Sequence, residues 1–187
     1  MKRILTSRFE EALVFATQLH AKQTRKGTAI PYIAHLLAVA SMVITHGGNE
    51  DEAIAALLHD AVEDQGGRPT LKRIRGRFGE KVASIVAGCT DAYVEPKPPW
   101  KERKEKYLAH LRSASRSVKL VAAADKLDNL RAIIADHRTY GVAIWRRFNA
   151  GKDDQKWFYR GCVAALKGCP KSIYTELKAA VRQLERL

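Results

Sequence analysis

"IAALLHDAVED", residues 54–64, is an apolar helical run into which His59, Asp60, Glu63 and Asp64 have been set. Asn49 before it is a suitable N-cap, and Glu50, Asp51 and Glu52 suit the positive end of a helix dipole. Gly66-Gly67 ends the pattern, so the spacing predicts one helix over 50–66. Within such a helix His59 and Glu63 share a face, as do Asp60 and Asp64. Ile54, Leu57, Leu58 and Val62 draw part of that face toward a core, where an unpartnered carboxylate is too costly to persist. Taken alone, the four residues fit either a solvated acidic face at a helix end or a ligand set for Mn, Fe or Zn.

The flanking sequence repeats the helical pattern. Residues 8–23 are amphipathic through Phe9, Leu13 and Ala16, and QTRKGTAI (23–30) is a loop. Pro31 opens a second helix that stops at Gly47-Gly48. Thr70 begins a short basic helix, and Gly79 separates it from an apolar helix over 80–92. VEPKPPW (94–100) is a Pro-rich break too short to link two domains. Further helices are expected over about 101–113, 115–137, 140–148, 152–167 and 171–186. No segment alternates as a strand does. The reading is an all-α, single-domain bundle of about eight to ten helices over 1–187.

Composition narrows the class. The 187 residues suffice for one domain with a substantial core. Charges at Arg8, Glu10 and Glu11 break any leader-like apolar run, and no stretch approaches the roughly 20 apolar residues that span a bilayer. A cytoplasmic protein with no membrane partner is expected, its three cysteines (Cys89, Cys162, Cys169) reduced. Thirty-three Lys and Arg against twenty Asp and Glu give a net charge of +13, which attracts polyanions. The cations are spread over several segments and form no legible RNA-binding motif. Charge alone does not choose among nucleic acid, an anionic surface and a phosphorylated small molecule, and it specifies no oligomeric state.

Two further helices carry polar groups in apolar company. His35 lies between Ile33 and Leu36-Leu37, as a satisfied core histidine or a ligand. Asp125, Asp128 and Asn129 interrupt the apolar run from Val118 to Ile134. Asp125 and Asn129 share a face, and Asp128 is read as turned away from Asn129. A polar stripe is one reading of them. A metal shared among three helices accounts for all three oddities at once. Arg25 and Lys26, close in sequence to His35, are either solvated or contacts for a phosphate or base. His46 at a helix C-terminus is explained by the dipole; His20, His110 and His137 are expected in packing or at the surface, and Trp100, Trp145 and Trp157 as core or interface anchors.

His35, then His59-Asp60, then Asp125 resembles the H…HD…D pattern of HD-domain phosphohydrolases. RKGTAIPYIAH (25–35), AALLHDAVED (55–64), RFGEKVASIVAGCTDA (77–92) and ADKLDNLR (124–131) are similar to successive motifs of the RelA/SpoT-type (p)ppGpp hydrolase domain, most of all in its stand-alone small alarmone hydrolases. The likeness runs over about 8–148, with 149–187 a helical extension outside the motif set. The resemblance implies an enzyme dependent on Mn²⁺ or another divalent transition metal that removes the 3′-pyrophosphate of ppGpp and pppGpp, returning GDP or GTP. It implies His35, His59, Asp60 and Asp125 as metal ligands, and Glu63 and Asp64 as the acidic pair managing the attacking water. Arg25, Lys26, Asn129 and Arg131 match positions that contact the nucleotide. Leu36 stands where the family usually has Pro, and Asp128 where it commonly has His or Tyr. An HD hydrolase acting on another nucleotide or phosphoester, or a basic nucleotide- or RNA-binding protein on an HD scaffold, are the alternative readings.

Overall fold

The computed structural model describes residues 5–93 and 96–187; the first four residues of the chain and the start of the Pro-rich break at 94–95 lie outside it. Ten α-helices follow in order: α1 (Ser7–Leu19), α2 (Ile33–Thr45), α3 (Glu50–Leu58), α4 (Ala61–Asp64), α5 (Gly67–Phe78), α6 (Glu80–Cys89), α7 (Trp100–Ser113), α8 (Arg116–Tyr140), α9 (Lys152–Ala165) and α10 (Lys171–Glu185). A 3-10 segment, Gly141–Arg147, joins α8 to α9. Among the described residues the only β pairing is a single bridge between Thr24 and Pro31, which closes the loop before α2. The all-α expectation holds.

The middle of the bundle is α3. Asn49 and Glu52 form a reciprocal capping box that satisfies two backbone N–H groups at its start. Every residue from Glu52 to Leu58 is buried, because α1, α2, α6 and α8 all pack against it. A helix enclosed on so many sides is apolar nearly all round, as AIAALL is. The long helix α8 is the spine: it packs on α2, α3, α6, α9, α10 and the 3-10 segment. One connected core runs from Ala12 on α1 to Leu184 on α10, so the C-terminal helices share it. Trp100 packs edge-on to Trp157 and Phe158, and Trp145 lies beside His137 and Phe148, in the anchoring role expected of the tryptophans.

Several boundaries differ from the sequence pattern. The helix expected over 50–66 is two helices, broken at His59-Asp60. His59 Nδ1 lies 2.8 Å from the Ala56 carbonyl, so the side chain bonds back onto the last turn of α3. The first helix stops at Leu19 instead of 23, and the basic helix starts at Gly67, before Thr70. The turn between α4 and α5 depends on Gly66 and Gly67, both at positive φ. A Cβ on Gly67 would stand 2.9 Å from the Tyr93 carbonyl oxygen, so space and backbone angle both exclude a side chain. No helix among the described residues is long and apolar enough to cross a membrane.

Gly67→Ala should therefore lower stability by about 1–2 kcal/mol, the cost of forcing an L-residue into the left-handed region. A drop in the urea midpoint at unchanged m-value is the expected reading, and an unchanged midpoint would refute it.

Candidate metal centre and the adjoining pocket

Three elements deliver the polar groups to one buried point. His35 comes from the first turn of α2, His59 and Asp60 from the break between α3 and α4, and Asp125 from the middle of α8. His35, His59 and Asp125 are each at most 5% exposed. One ligand atom from each lies within 4.8 Å of the other two. Asp60 Oδ2 lies 3.0 Å from His59 Nε2 and 3.7 Å from His35 Nε2, and Asp125 Oδ1 lies 3.7 and 3.3 Å from the same two nitrogens.

The ring orientations follow from the other nitrogen of each imidazole. A carbonyl can only accept, so His59 Nδ1 carries the proton it gives to Ala56. His35 Nδ1 likewise donates to Asp128 Oδ2 at 2.6 Å. Both Nε2 atoms are then left buried with no hydrogen-bond partner, facing each other and two carboxylates. A buried polar atom without a partner is costly, and a metal-binding imidazole has this arrangement, with the outer N–H fixed and the inner lone pair free. The donor set of two imidazoles and two carboxylates fits a divalent transition metal.

The carboxylates that would attract a metal ion attract protons to the same point. Burial disfavours a charged His59, but Asp60 and Asp125 overcome it and hold the imidazole well above its ordinary range; His35 is raised too, burial being outweighed by Asp125 and Asp128. Asp125 is held well below the usual carboxylate range: burial pushes it up, while Lys126 and the two imidazoles draw it down further. The Lys126 ammonium lies 2.5 Å from Asp125 Oδ2. Tyr32 donates to Asp60 Oδ2 at 2.5 Å, and Asn129 donates to Asp125 Oδ1 at 2.5 Å. Tyr32 and Lys126 escaped the sequence reading. Their signal was position: Tyr32 is one turn before His35, and Lys126 adjoins Asp125.

Glu63 and Asp64 sit together one turn beyond Asp60. Glu63 Oε1 faces Lys97 Nζ at 3.0 Å and Arg103 Nη1 at 3.3 Å; Asp64 shares Lys97 at 3.3 Å and accepts from Gln23 at 2.9 Å. Arg103 and Lys104 of α7 are both fixed by the buried Asp91, each at 2.5 Å. Burial, then Asp91 and Asp60, push Glu63 up to about 7 against the pull of Lys104. The Pro-rich break and α7 thus serve the acidic pair, which the charge run KERKEK did not suggest.

Beside the His–Asp cluster lies a cavity of about 210 Å³ lined by Arg25, Lys26, Tyr32, Asn129, Arg147 and Tyr159, among others. Arg25 is 3.3 Å from Asp128 Oδ2 and 3.2 Å from Asn129 Oδ1, and Lys26 reaches Asn149 at 2.6 Å. Tyr32 belongs to both places, its ring on the cavity and its hydroxyl on Asp60. Arg131 does not join them. Two residues beyond Asn129 it points to the other side of α8, at about 100° per residue, where it meets Glu176 at 2.7 Å and Met42 Sδ at 3.3 Å. Asp128 is also placed differently from its sequence reading. Three residues after Asp125 it shares that residue's face and reaches His35. Leu36 is fully buried in the core. The other histidines lie elsewhere: His46 beside Ser172 and Glu176, and His20 stacked on Tyr32 with its Nδ1 on Gln23.

Comparison with known proteins agrees with this geometry. The chain is 44% identical over 124 residues to a guanosine-3′,5′-bis(diphosphate) 3′-pyrophosphohydrolase, MESH1, of Xenopus tropicalis, covering 65% of this chain and 66% of that protein, just under two thirds of its length. It is 36% identical over 125 residues to a guanosine-3′,5′-bis(diphosphate) 3′-pyrophosphohydrolase of Aquifex aeolicus, of which the match covers 17%. A solved structure described as a metazoan orthologue of SpoT that hydrolyses ppGpp superposes with a TM-score of 0.80 at 26% identity, over 97% of this chain and 98% of that one. That likeness takes in nearly all of the C-terminal extension. Residues 12–154 match the sequence profile of the HD domain. The chain belongs to the HD-domain family.

Proposed function

We propose that the protein is a metal-dependent hydrolase that cleaves the 3′-pyrophosphate from ppGpp and pppGpp, yielding GDP or GTP and pyrophosphate. The observation that carries the reading is the pair of buried, partnerless imidazole Nε2 atoms meeting Asp60 and Asp125 beside a cavity lined by Arg25 and Lys26. The activity named for the Xenopus and Aquifex relatives supports the choice of substrate. The whole chain, 1–187, is read as one HD domain whose last helices extend its core. Its three unbonded cysteines suit the cytoplasm.

His35, His59, Asp60 and Asp125 would hold the ion, Mn²⁺ or another divalent transition metal, for which a mixed imidazole and carboxylate set is suited. A divalent ion there supplies a lowered pKa for water and neutralises charge on the reacting phosphoryl group. Glu63, raised to about 7, takes the proton of the attacking water, since a base is most useful when its pKa is near the working pH. Asp64 and Lys97 hold that carboxylate's surroundings in place. Arg25 and Lys26 offset the charge of the polyphosphate, and Asn129 offers its amide to the nucleotide. Phe148 and Tyr159 give the cavity aromatic walls suited to a base. The net +13 draws such an anion in from solution.

Metal-free protein incubated with ppGpp, other nucleotides and a generic phosphodiester, with and without Mn²⁺, tests the reading. Pyrophosphate and GDP are expected from ppGpp only when metal is present. Turnover of the other substrates with ppGpp untouched would transfer the site to a different phosphoester, and binding without any turnover would leave a non-catalytic scaffold. Asp60→Ala should remove turnover and bound metal together; full activity in that variant would end the metal assignment. Glu63→Gln should keep the metal and lower kcat by about 10²–10⁴-fold. In the parent protein at saturating Mn²⁺, kcat should fall as pH drops below about 7, where Glu63 becomes protonated, and the Gln variant should lack that limb.

A further inference from the structure

Asp128 stands between the His–Asp cluster and the adjoining cavity and touches both. Its Oδ2 lies 2.6 Å from His35 Nδ1 and 3.3 Å from Arg25 Nη1. The His35 side chain is 1% exposed and Asp128 20%, so their hydrogen bond is shielded from water. We propose that Asp128 is a positioning residue with two tasks, fixing His35 as a metal ligand and aiming Arg25 into the adjoining cavity.

The first task follows from the donor pattern. A carboxylate can only accept, so it confines the His35 proton to Nδ1 and leaves Nε2 as a lone pair facing His59, Asp60 and Asp125. An ionised acceptor also makes the ring a stronger donor toward a metal, and loss of such partners costs about 10–100-fold in metal affinity. A neutral acceptor supplies the geometry but less of the basicity, and a phenol supplies neither as well.

The second task follows from Arg25. Its guanidinium is held at two points, Asp128 through Nη1 and Asn129 through Nη2, which are neighbours on α8. A long side chain fixed in this way loses little further freedom when an anion arrives. The same contact explains how a carboxylate is tolerated beside a cavity suited to phosphates: its charge is already shared between the His35 N–H and Arg25. The helix makes the sharing feasible, since Asp125, Asp128 and Asn129 fall within about 100° of α8.

The inference rests on the metal reading given above, and the two are separable by experiment. Mn²⁺ titration of metal-free parent, Asp128→Asn and Asp128→Ala proteins, followed by the electron paramagnetic resonance signal of free aqueous Mn²⁺, reads the affinity directly. Both variants are expected to bind about 10–100-fold more weakly, and Asp128→Asn, which keeps an acceptor for His35 Nδ1, should melt close to the parent in the metal-free state. At saturating Mn²⁺ their KM for ppGpp should stay several-fold above the parent, about 3–10-fold for one loosened charge-assisted contact, while kcat recovers more fully. Equal Mn²⁺ affinity in parent and variants overturns the first task, and an unchanged KM at saturating metal overturns the second. A parent protein that binds no Mn²⁺ would instead overturn the metal reading itself.

Discussion

Everything around the centre of this protein depends on one constraint: charge cannot be left unpaired in an apolar interior. Two imidazoles and two carboxylates meet among Ile, Leu, Val and Ala side chains, and each has been given an outer partner. The Ala56 carbonyl takes His59, Asp128 takes His35, Tyr32 takes Asp60, and Lys126 and Asn129 take Asp125. With the outer bonds made, the unsatisfied capacity points inward. Removing one outer partner would free a ligand to turn, so the fold and the centre constrain each other.

The packing of α3 and α8 follows from that constraint. α3 is short and enclosed by α1, α2, α6 and α8, which fixes where His59 emerges. α8 is long and packs on most of the bundle, which fixes Asp125 and Asp128 at a set height along it. The cations near the cluster come from less regular segments: Arg25 and Lys26 from a loop, Lys97 from the Pro-rich break, Arg147 from the 3-10 segment. A rigid apolar frame thus carries the His–Asp cluster, and shorter connections carry the cations.

Much of this was legible in the sequence, for a physical reason. His35, His59, Asp60 and Asp125 are polar groups in runs that otherwise demand burial, and the structure brings all four together. Helix content was equally readable from the spacing of Leu, Ile, Val and Ala. The break at His59-Asp60 was not, because the apolar period continues across it and both residues keep near-helical angles. Asp128 was misplaced because its angle was reckoned from Asn129, whereas its neighbour on the helix face is Asp125. Arg131 was placed at the nucleotide site by the family resemblance, but two residues beyond Asn129 on a helix is nearly the far side, where it meets Glu176. Asp91, Arg103 and Lys104 could not be singled out, since a buried ion network and a solvated charge run are written in the same letters.

The interruption of the helix at His59-Asp60 also bears on how this protein could be made more robust. In an unbroken helix, adjacent residues diverge by about 100°, and His59 and Asp60 would look toward different neighbours. At this junction the two side chains meet, His59 Nε2 lying 3.0 Å from Asp60 Oδ2. Residues 58–62 are thus a place where local helical preference and the centre's geometry pull in opposite directions. Substitutions chosen for helix-forming tendency there would regularise the backbone at the expense of the convergence. An effort to raise thermal tolerance would do better to leave this junction irregular and to work on the distant surface of α10 or α5.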